Sequence, residues 1–240
     1  MMARNAEKNE QVREERRQQI LDAALTTYIR FGFHGTDMDM VAKEAGLAKG
    51  LLYYYYKTKK ELFRELFTVM FDKSYSLSND IVTQSEDLNP VERLVFYCYH
   101  MFLLNEENPR ILQFSIRVPF DAYAVFGMEG WDEGVLKSKL HKETLATIIS
   151  EGITQRLIPD SNPDQAANSF WSVFVANAFE YAKLMEGKQN LVEDRVQSVR
   201  NVVQFCFQGL GINYERWNDY LEQLVANNIN PQGAKNHEDL

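Results

Sequence analysis

The sequence predicts an all-α protein: a three-helix N-terminal head followed by a larger helical body. Three observations carry that prediction. Apolar residues recur at three- and four-residue spacing through nearly every segment, the period of a helix with one buried face. Helix-opening signals punctuate the chain at Asp37, Thr58-Lys-Lys-Glu61, Asn89-Pro90 and Asn108-Pro109; a side-chain oxygen ahead of the first turn satisfies orphan amides, and proline suits that turn. No stretch alternates apolar and polar residues as a half-buried strand does. The 240 residues are 45% hydrophobic and 25% charged, the composition of a globular chain with a sizeable core.

The elements follow in order. Ile20, Ala24, Tyr28 and Phe31 mark a first helix closed by Gly32 and Gly35. Asp37 caps a short second helix whose Met38, Val41, Ala42 and Ala45 share one face; Gly46 interrupts, and Leu47 anchors a third helix through Tyr56. Thr58 and Glu61 fit a capping box opening a long helix to Gln84. Leu62, Phe63, Leu66, Phe67, Val69 and Met70 cover two faces of its first half, and Leu77 and Ile81 one stripe of its second. Asn89 and Asn108 open two more helices. Val118-Pro119 and the glycines at 127, 130 and 134 predict a break, after which Leu136, Leu140, Ile148 and Ile149 line a helix ending between Gly152 and Pro159. From Pro163, the residues Ala167, Trp171, Phe174, Ala178, Tyr181 and Met185 are spaced 4, 3, 4, 3, 4, and Val192, Val196, Val199, Val203, Cys206 and Leu210 repeat that spacing, as in packed helix pairs. Ala166, Phe170, Val175 and Phe179 widen the first stripe. Tyr214, Trp217, Leu221 and Val225 suggest a last amphipathic helix, and 227–240 reads as a polar, mobile tail. The expected boundaries are 1–57, 58–212 and 213–240.

Several function classes are disfavoured at this point. The longest nearly apolar run, Leu94 to Leu104, is broken by His100 and is about half the roughly 20 residues of a membrane span. Residues 1–17 mix both charges without the apolar stretch of a secretory signal, so a cytoplasmic protein with no membrane partner is expected. Cys98 and Cys206 lie in separate apolar segments and read as buried reduced thiols. No GxSxG, Walker, GxGxxG or HExxH pattern and no Cys/His cluster occurs, and His34, His100, His141 and His237 are scattered. An all-α enzyme is therefore the rival class rather than the reading, and no cofactor or metal is expected.

Net charge is −8, yet residues 1–64 hold 12 Lys/Arg against 9 Asp/Glu and the remainder 14 against 25. A mildly basic head sits ahead of an acidic body. Within that head, residues 36–56 form helix, glycine-containing turn and helix, the arrangement that can place a second helix in the major groove of DNA. Rotating about 100° per residue puts Ala48, Leu52 and Tyr56 on the core side and Gly50, Leu51, Tyr53 and Tyr54 outward. Gly50 on an exposed helical face costs about 0.5–1 kcal/mol relative to Ala, which is explained if a backbone or phosphate approaches closely. Lys49 adds a cation near the helix start. Tyr55 and Tyr56 read as packing residues.

The combination Thr36, Val41-Ala42-x-x-Ala45-Gly46-Leu47-Ala48-Lys49-Gly50-x-Leu52-Tyr53-x-x-Tyr56-Lys57-Thr58-Lys59-x-x-Leu62 resembles the signature of the TetR family of bacterial transcriptional regulators over roughly residues 13–66. The resemblance implies that Thr36 and Lys59 approach phosphates, that Lys49, Gly50, Leu51 and Tyr54 line the groove, and that Tyr53 reaches the backbone. Two positions depart from the family pattern: Ala48 stands where a capping Ser or Thr is usual, and Leu51 where a small polar residue is common. The first weakens the helix cap by about 0.5–2 kcal/mol; the second favours apolar contact, as with a thymine methyl.

The resemblance further implies that the helices after Thr58 form a ligand-binding and dimerisation domain. The expected protein is a ligand-responsive regulator, a repressor that binds an inverted-repeat operator in double-stranded DNA as a homodimer. A hydrophobic or amphipathic small molecule would release it. A DNA-binding regulator of cell division is the alternative within the same fold. Aromatics are dense from Tyr97 to Trp131, with Met101, Met128, Gln113 and Arg117 among them. Phe67, Phe71, Tyr97, Met101, Phe114, Arg117, Tyr123, Phe126 and Trp171 are the candidate effector residues, on the expectation that an apolar pocket with few polar groups suits such a ligand. Arg117, between Ile116 and Val118, needs a partner, either a protein carboxylate or an anionic ligand. Phe170, Phe174, Ala178, Val196, Val199 and Val203 are the candidate dimer residues, because two matched seams would make a four-helix interface; the same spacing also fits a seam within one chain.

Overall fold

The computed structural model describes the backbone of residues 2–185, 192–213 and 216–229, and the side chains of 8–127, 141–183, 192–213 and 216–227. The described residues form nine helices and no strand. They are α1 (Met2–Gly35), α2 (Met38–Glu44), α3 (Lys49–Tyr55), α4 (Lys59–Thr83), α5 (Pro90–Glu107), α6 (Pro109–Thr154), α7 (Pro163–Met185), α8 (Val192–Gly209) and α9 (Trp217–Ile229). The all-α expectation is thus met. Met1, 186–191, 214–215 and most of the expected tail, 230–240, lie outside the described residues, as do the side chains of Met128, Trp131, Leu136, Leu140 and Met185.

Two compact units are formed: one of Met1–Lys73 with Gln113–Lys137, the other of Ser74–Leu112 with Ser138–Leu240. They do not coincide with the segments 1–57, 58–212 and 213–240 read from the sequence. The boundary drawn at 57 is a helix cap, whereas α4 and α6 each contribute to both units.

In the first unit, Ile20, Ala24 and Tyr28 of α1, Val41 and Ala42 of α2, Leu52 of α3, and Leu62, Phe63 and Phe67 of α4 are buried together with Tyr56. Asp37 caps α2 by accepting from the Met40 amide at 2.8 Å. Thr58 accepts from the Glu61 amide at 3.1 Å, but the Glu61 carboxylate reaches back to the Lys57 amide rather than to that of Thr58. The expected capping box is therefore one residue wide of its reciprocal form. Phe31 and Val69 carry the right spacing for the core yet are exposed, 49% and 38%; each sits at the edge of its apolar stripe, where no neighbouring helix arrives.

Pro119 does not break α6, which runs on past it. The side chain is exposed, so the Ser115 carbonyl that proline cannot pair lies on a partly exposed face. The interruption falls at Gly127, with φ 74 and ψ −176.

In the second unit α5 is the central helix, packed by α7, α8 and α9. The apolar run that is too short for a membrane is its buried shaft: Leu94, Val95, Tyr97, Cys98, Tyr99 and Phe102 are at most 1% exposed. No described helix is long and apolar enough to cross a membrane. Cys98 and Cys206 are free, buried thiols whose pKa values burial pushes up. The charged groups that enter this core are ion-paired, although the Nε atoms of Arg93 and Arg195 are buried without a hydrogen-bond partner. Arg195 of α8 donates twice to Glu106 of α5, at 2.6 and 2.7 Å, and Tyr181 of α7 donates to the same carboxylate. Arg93 pairs with Glu151.

His141 is the most deeply buried imidazole among the described residues of this unit. Its Nδ1 lies 3.0 Å from Ser78 Oγ and 3.1 Å from Tyr97 Oη, and its ring stacks on Trp171 at 4.7 Å. Burial pulls its pKa down to about 4, below the value of about 6.5 that an unfolded chain offers. Above that unfolded value neither state is charged. As pH falls below it, the unfolded chain takes a proton the folded chain refuses, and stability drops until the folded pKa is reached. Between pH 7 and pH 4 the parent should lose about 3 kcal/mol more than His141→Phe, measured by urea denaturation at the two pH values.

Candidate nucleic-acid interface

The second and third helices of the head are held by side chains from outside them. Gln19 of α1 donates to the Ala45 carbonyl at 2.7 Å, closing the end of α2. Gly46, at φ 65, turns the chain, and α3 begins at Lys49. Ala48 occupies the N-cap position with no side-chain hydrogen bond. Its side chain is exposed, which corrects the placement of Ala48 on the core side: as the extended residue before the helix it does not follow the helical wheel. Leu52 and Tyr56 are buried as expected, at 0% and 2%.

Five residues of α3 form its outer face. Lys49, Gly50, Leu51, Tyr53 and Tyr54 are all exposed, Tyr54 by 68%. A Cβ built on Gly50 would meet nothing within 4 Å. Tyr54 packs edge-on against half-buried Tyr55 at 5.4 Å. Lys49 is not an isolated charge: its Nζ lies 2.7 Å from Asp39 of α2 and 5.9 Å from the Tyr53 ring centroid. The Asp39 carboxylate raises its pKa, so the cation is secure but locally balanced. Sequence reasoning missed Asp39. Its position two residues past the Asp37 cap carries no signal until the tertiary turn brings α2 and α3 together.

Thr36 and Lys59, expected at phosphates, are engaged with the protein. The Thr36 side chain is 1% exposed and donates to the Gly32 carbonyl at 2.8 Å. Lys59 donates to the carbonyls of Phe33 and Thr36 at 2.8 and 2.9 Å, with its ammonium 4.4 Å from the Phe33 ring centroid. Both residues close the end of α1, where carbonyls lack helical partners.

The nine candidate effector residues divide between the units. Phe67, Phe71, Phe114 and Phe126 form one buried cluster with Tyr28, with centroids of Phe67 and Phe114 5.2 Å apart and of Phe71 and Phe114 5.6 Å apart. Tyr123 is 54% exposed. Arg117 donates to the Ile29 carbonyl at 2.7 Å, a backbone oxygen that the two partners posed from the sequence did not include. Tyr97, Met101 and half-buried Trp171 belong to the second unit, the first and last joined through His141. A cavity of about 410 Å³ in that unit is lined by Ile153, Arg156, Leu157, Ile158, Pro159 and neighbours, none of them among the nine.

Phe170, Phe174, Ala178, Val196, Val199 and Val203 are all buried within the single chain, at 0–9% exposure. Their seam is internal: Phe174 packs edge-on against Phe102 of α5 at 5.1 Å. The assignment of these six to a dimer interface is corrected accordingly, since side chains already covered offer a partner no area. Among the described residues, the exposed large apolar side chains of the same helices are Phe179, 44%, and Phe205, 66%.

The open space around Gly50 makes a stability outcome specific. Gly50→Ala should stabilise the head by about 0.5–1 kcal/mol, read from the midpoint of chemical denaturation at unchanged slope.

Comparison with known proteins places this geometry. The family described as bacterial regulatory proteins, tetR family, matches residues 20–66, the segment holding α2, α3 and the start of α4. The chain is 28% identical over 173 residues to an uncharacterized HTH-type transcriptional regulator, YhgD, of Bacillus subtilis (strain 168), covering 70% of this chain and 85% of that protein. It is 32% identical over 111 residues to the HTH-type transcriptional regulator PksA of the same organism, 46% of this chain and about half, 52%, of that one. Among solved structures, the transcriptional regulator FadR from Bacillus subtilis in complex with stearoyl-CoA superposes with a TM-score of 0.63 at 19% identity, over 80% of this chain and 98% of that one. AibR in complex with isovaleryl coenzyme A and operator DNA gives 0.61 at 22% identity, over 79% and 97%. The fold is shared with these regulators, and the helix-turn-helix segment within residues 20–66 is similar to that of the bacterial regulatory proteins of the tetR family.

Proposed function

We propose that this regulator is a repressor that binds an inverted-repeat operator as a homodimer and leaves it when a hydrophobic or amphipathic small molecule binds the body. The observation that carries the reading is the outer face of α3: a cation, a bare glycine and three exposed apolar or aromatic side chains on a helix whose opposite side is buried. Lys49 and the tyrosine hydroxyls suit phosphate and base edges, and Leu51 suits a thymine methyl. Thr36 and Lys59 act behind this face, closing α1, and reach a phosphate only if DNA displaces those bonds. Action in the cytoplasm, at the nucleoid, follows from this reading.

The effector class we favour is an acyl-coenzyme A thioester. FadR and AibR, which share the fold, are described with stearoyl-CoA and isovaleryl coenzyme A, and the phenylalanine cluster of α4 and α6 offers apolar surface of the kind an acyl chain would enter. For the dimer, the outer faces of α7 and α8, which pack on each other, leave Phe179 and Phe205 in solvent. Exposed rings on adjacent helices are the apolar centre an interface needs.

Selection of duplex sites from a random pool, followed by sequencing, should recover inverted repeats with half-sites about 34–36 Å apart. Lys49→Ala should weaken binding to those sites and reduce its salt dependence, while Leu51→Ala should alter the preferred base with a smaller loss. Recovery of no common sequence, or parent-like binding by both variants, would remove the assignment. Phe205→Asp should convert a dimeric mass in analytical ultracentrifugation to a monomeric one; a monomeric parent that still selects inverted repeats would exclude this interface.

A further inference from the structure

The break in α1 carries more than a change of direction. Gly32 has φ 72 and ψ 179 inside an otherwise helical segment. In an unbroken helix the Phe33 amide would donate to the Ile29 carbonyl, four residues back. With Gly32 in this conformation that turn is opened, and its two halves are taken by another helix. Asp121 accepts from the Phe33 amide at 3.3 Å, and Arg117 donates to the Ile29 carbonyl at 2.7 Å. Arg117 and Asp121 are themselves four residues apart on α6, one above the other on one face. One helical turn of α6 thus meets, with a cation and an anion, the Ile29 carbonyl and the Phe33 amide that an unbroken α1 would join to each other.

The fit is close. A Cβ on Gly32 would lie 3.0 Å from Arg117 Nε and 3.1 Å from Nη2, and the positive φ alone disfavours any side chain there. Asp121 is 8% exposed, so its charge has been taken out of water to hold this one amide and to face Tyr28, whose phenol burial and the carboxylate push up. A buried carboxylate is costly unless it is paired and hydrogen-bonded. Simple packing of α6 on α1 would need no such group.

We infer that Arg117 and Asp121 are positioning residues: a clasp through which α6 sets the angle of the helix-turn-helix head, so that loss of either partner lets the head shift against α6 without unfolding it. The inference rests on the DNA-binding reading only for its affinity readout; the geometry of the head can be measured without DNA.

The test uses the full chain with spin labels on Lys43→Cys in α2 and Phe120→Cys in α6, both exposed positions, while Cys98 and Cys206 are buried. The parent should give one narrow distance distribution. Arg117→Met and Asp121→Ala should each broaden it, and the double variant should broaden it no further than one alone, because both act on one open turn. Arg117→Lys and Asp121→Asn, which keep a donor and an acceptor, should restore the narrow distribution. Amide exchange separates a clasp from a mere stabiliser: Phe33 should lose protection in Asp121→Ala while Val41 and Leu52 keep theirs. On unlabelled protein, affinity for selected sites should fall about tenfold or more in each broken variant, as for loss of a hydrogen bond to a charged group. Unchanged distributions in both broken variants would overturn the clasp, and so would loss of Val41 and Leu52 protection together with Phe33, which would make the pair a stabiliser of the head. If the parent selects no DNA, the functional reading fails while the distances still decide the clasp.

Discussion

A buried peptide group cannot be left without a hydrogen bond, and in the first unit that rule is tested where helices are interrupted by glycine. Gly32 and Gly127 adopt nearly the same conformation, φ 72 with ψ 179 and φ 74 with ψ −176. At each, the displaced backbone groups are met by charged side chains of a different helix. Arg117 and Asp121 of α6 serve the break in α1, and Arg64 of α4 serves the break in α6, donating to the carbonyls of Val125 and Phe126 at 3.1 and 3.0 Å. Lys59 of α4 adds two bonds at the end of α1. The three helices are thus tied pairwise by side-chain charges that bond to backbone. Between them Tyr28 packs edge to face on Phe63 and Phe67, and Phe67 on Phe114, at 5.0–5.8 Å, a geometry that suits aromatic quadrupoles.

The second unit solves a different problem. Its α5 is surrounded, so the polar groups it carries must be neutralised inside. Glu106 is held by Arg195 and Tyr181, and Tyr97 by Ser78 and His141. Such pairs are not large sources of stability, since desolvation offsets much of the attraction, but removal of one member strands the other at a cost of about 3–5 kcal/mol. They therefore specify which faces of α7 and α8 meet α5. The heptad-like seams of α7 and α8 obey the same demand: they are spent inside the chain, and what they leave in solvent is the opposite edge, with Phe179 and Phe205.

The head presents little net positive charge for a nucleic-acid surface. Lys49 is balanced by Asp39, Lys59 is consumed by α1, and Arg30 lies 3.8 Å from Glu44. In the reading proposed above, with non-specific phosphate attraction so restrained, discrimination comes largely from shape and from the apolar and aromatic face of α3. That is consistent with Leu51, Tyr53 and Tyr54 standing exposed on a helix of only seven residues. Ala48 leaves the first turn of that helix uncapped, so its order depends on Leu52 and Tyr56 in the core rather than on its own end.

Local physics was legible in the sequence because it acts over a few residues. The helical period, the Asp37 and Asn89 caps, the proline at the start of α5 and the turn at Gly46 are decided by neighbours within one helical turn, and the helix-turn-helix pattern is a string of such decisions. The exposed face of α3 followed from the same periodicity, failing only at Ala48, where the chain is not yet helical. What crosses between helices was not legible. Nothing in the order of residues says that Lys49 meets Asp39, that Lys59 turns inward to α1, or that the cation flanked by Ile116 and Val118 answers a carbonyl 88 residues earlier. The spacing of Arg117 and Asp121 is visible as a helical pair, but its purpose appears only once Gly32 has opened a turn beside it. Likewise the period of α7 and α8 declared a packed seam without naming its partner. Periodicity reports that a face is buried; only the tertiary arrangement, by deciding which backbone groups and which surfaces need covering, determines against what.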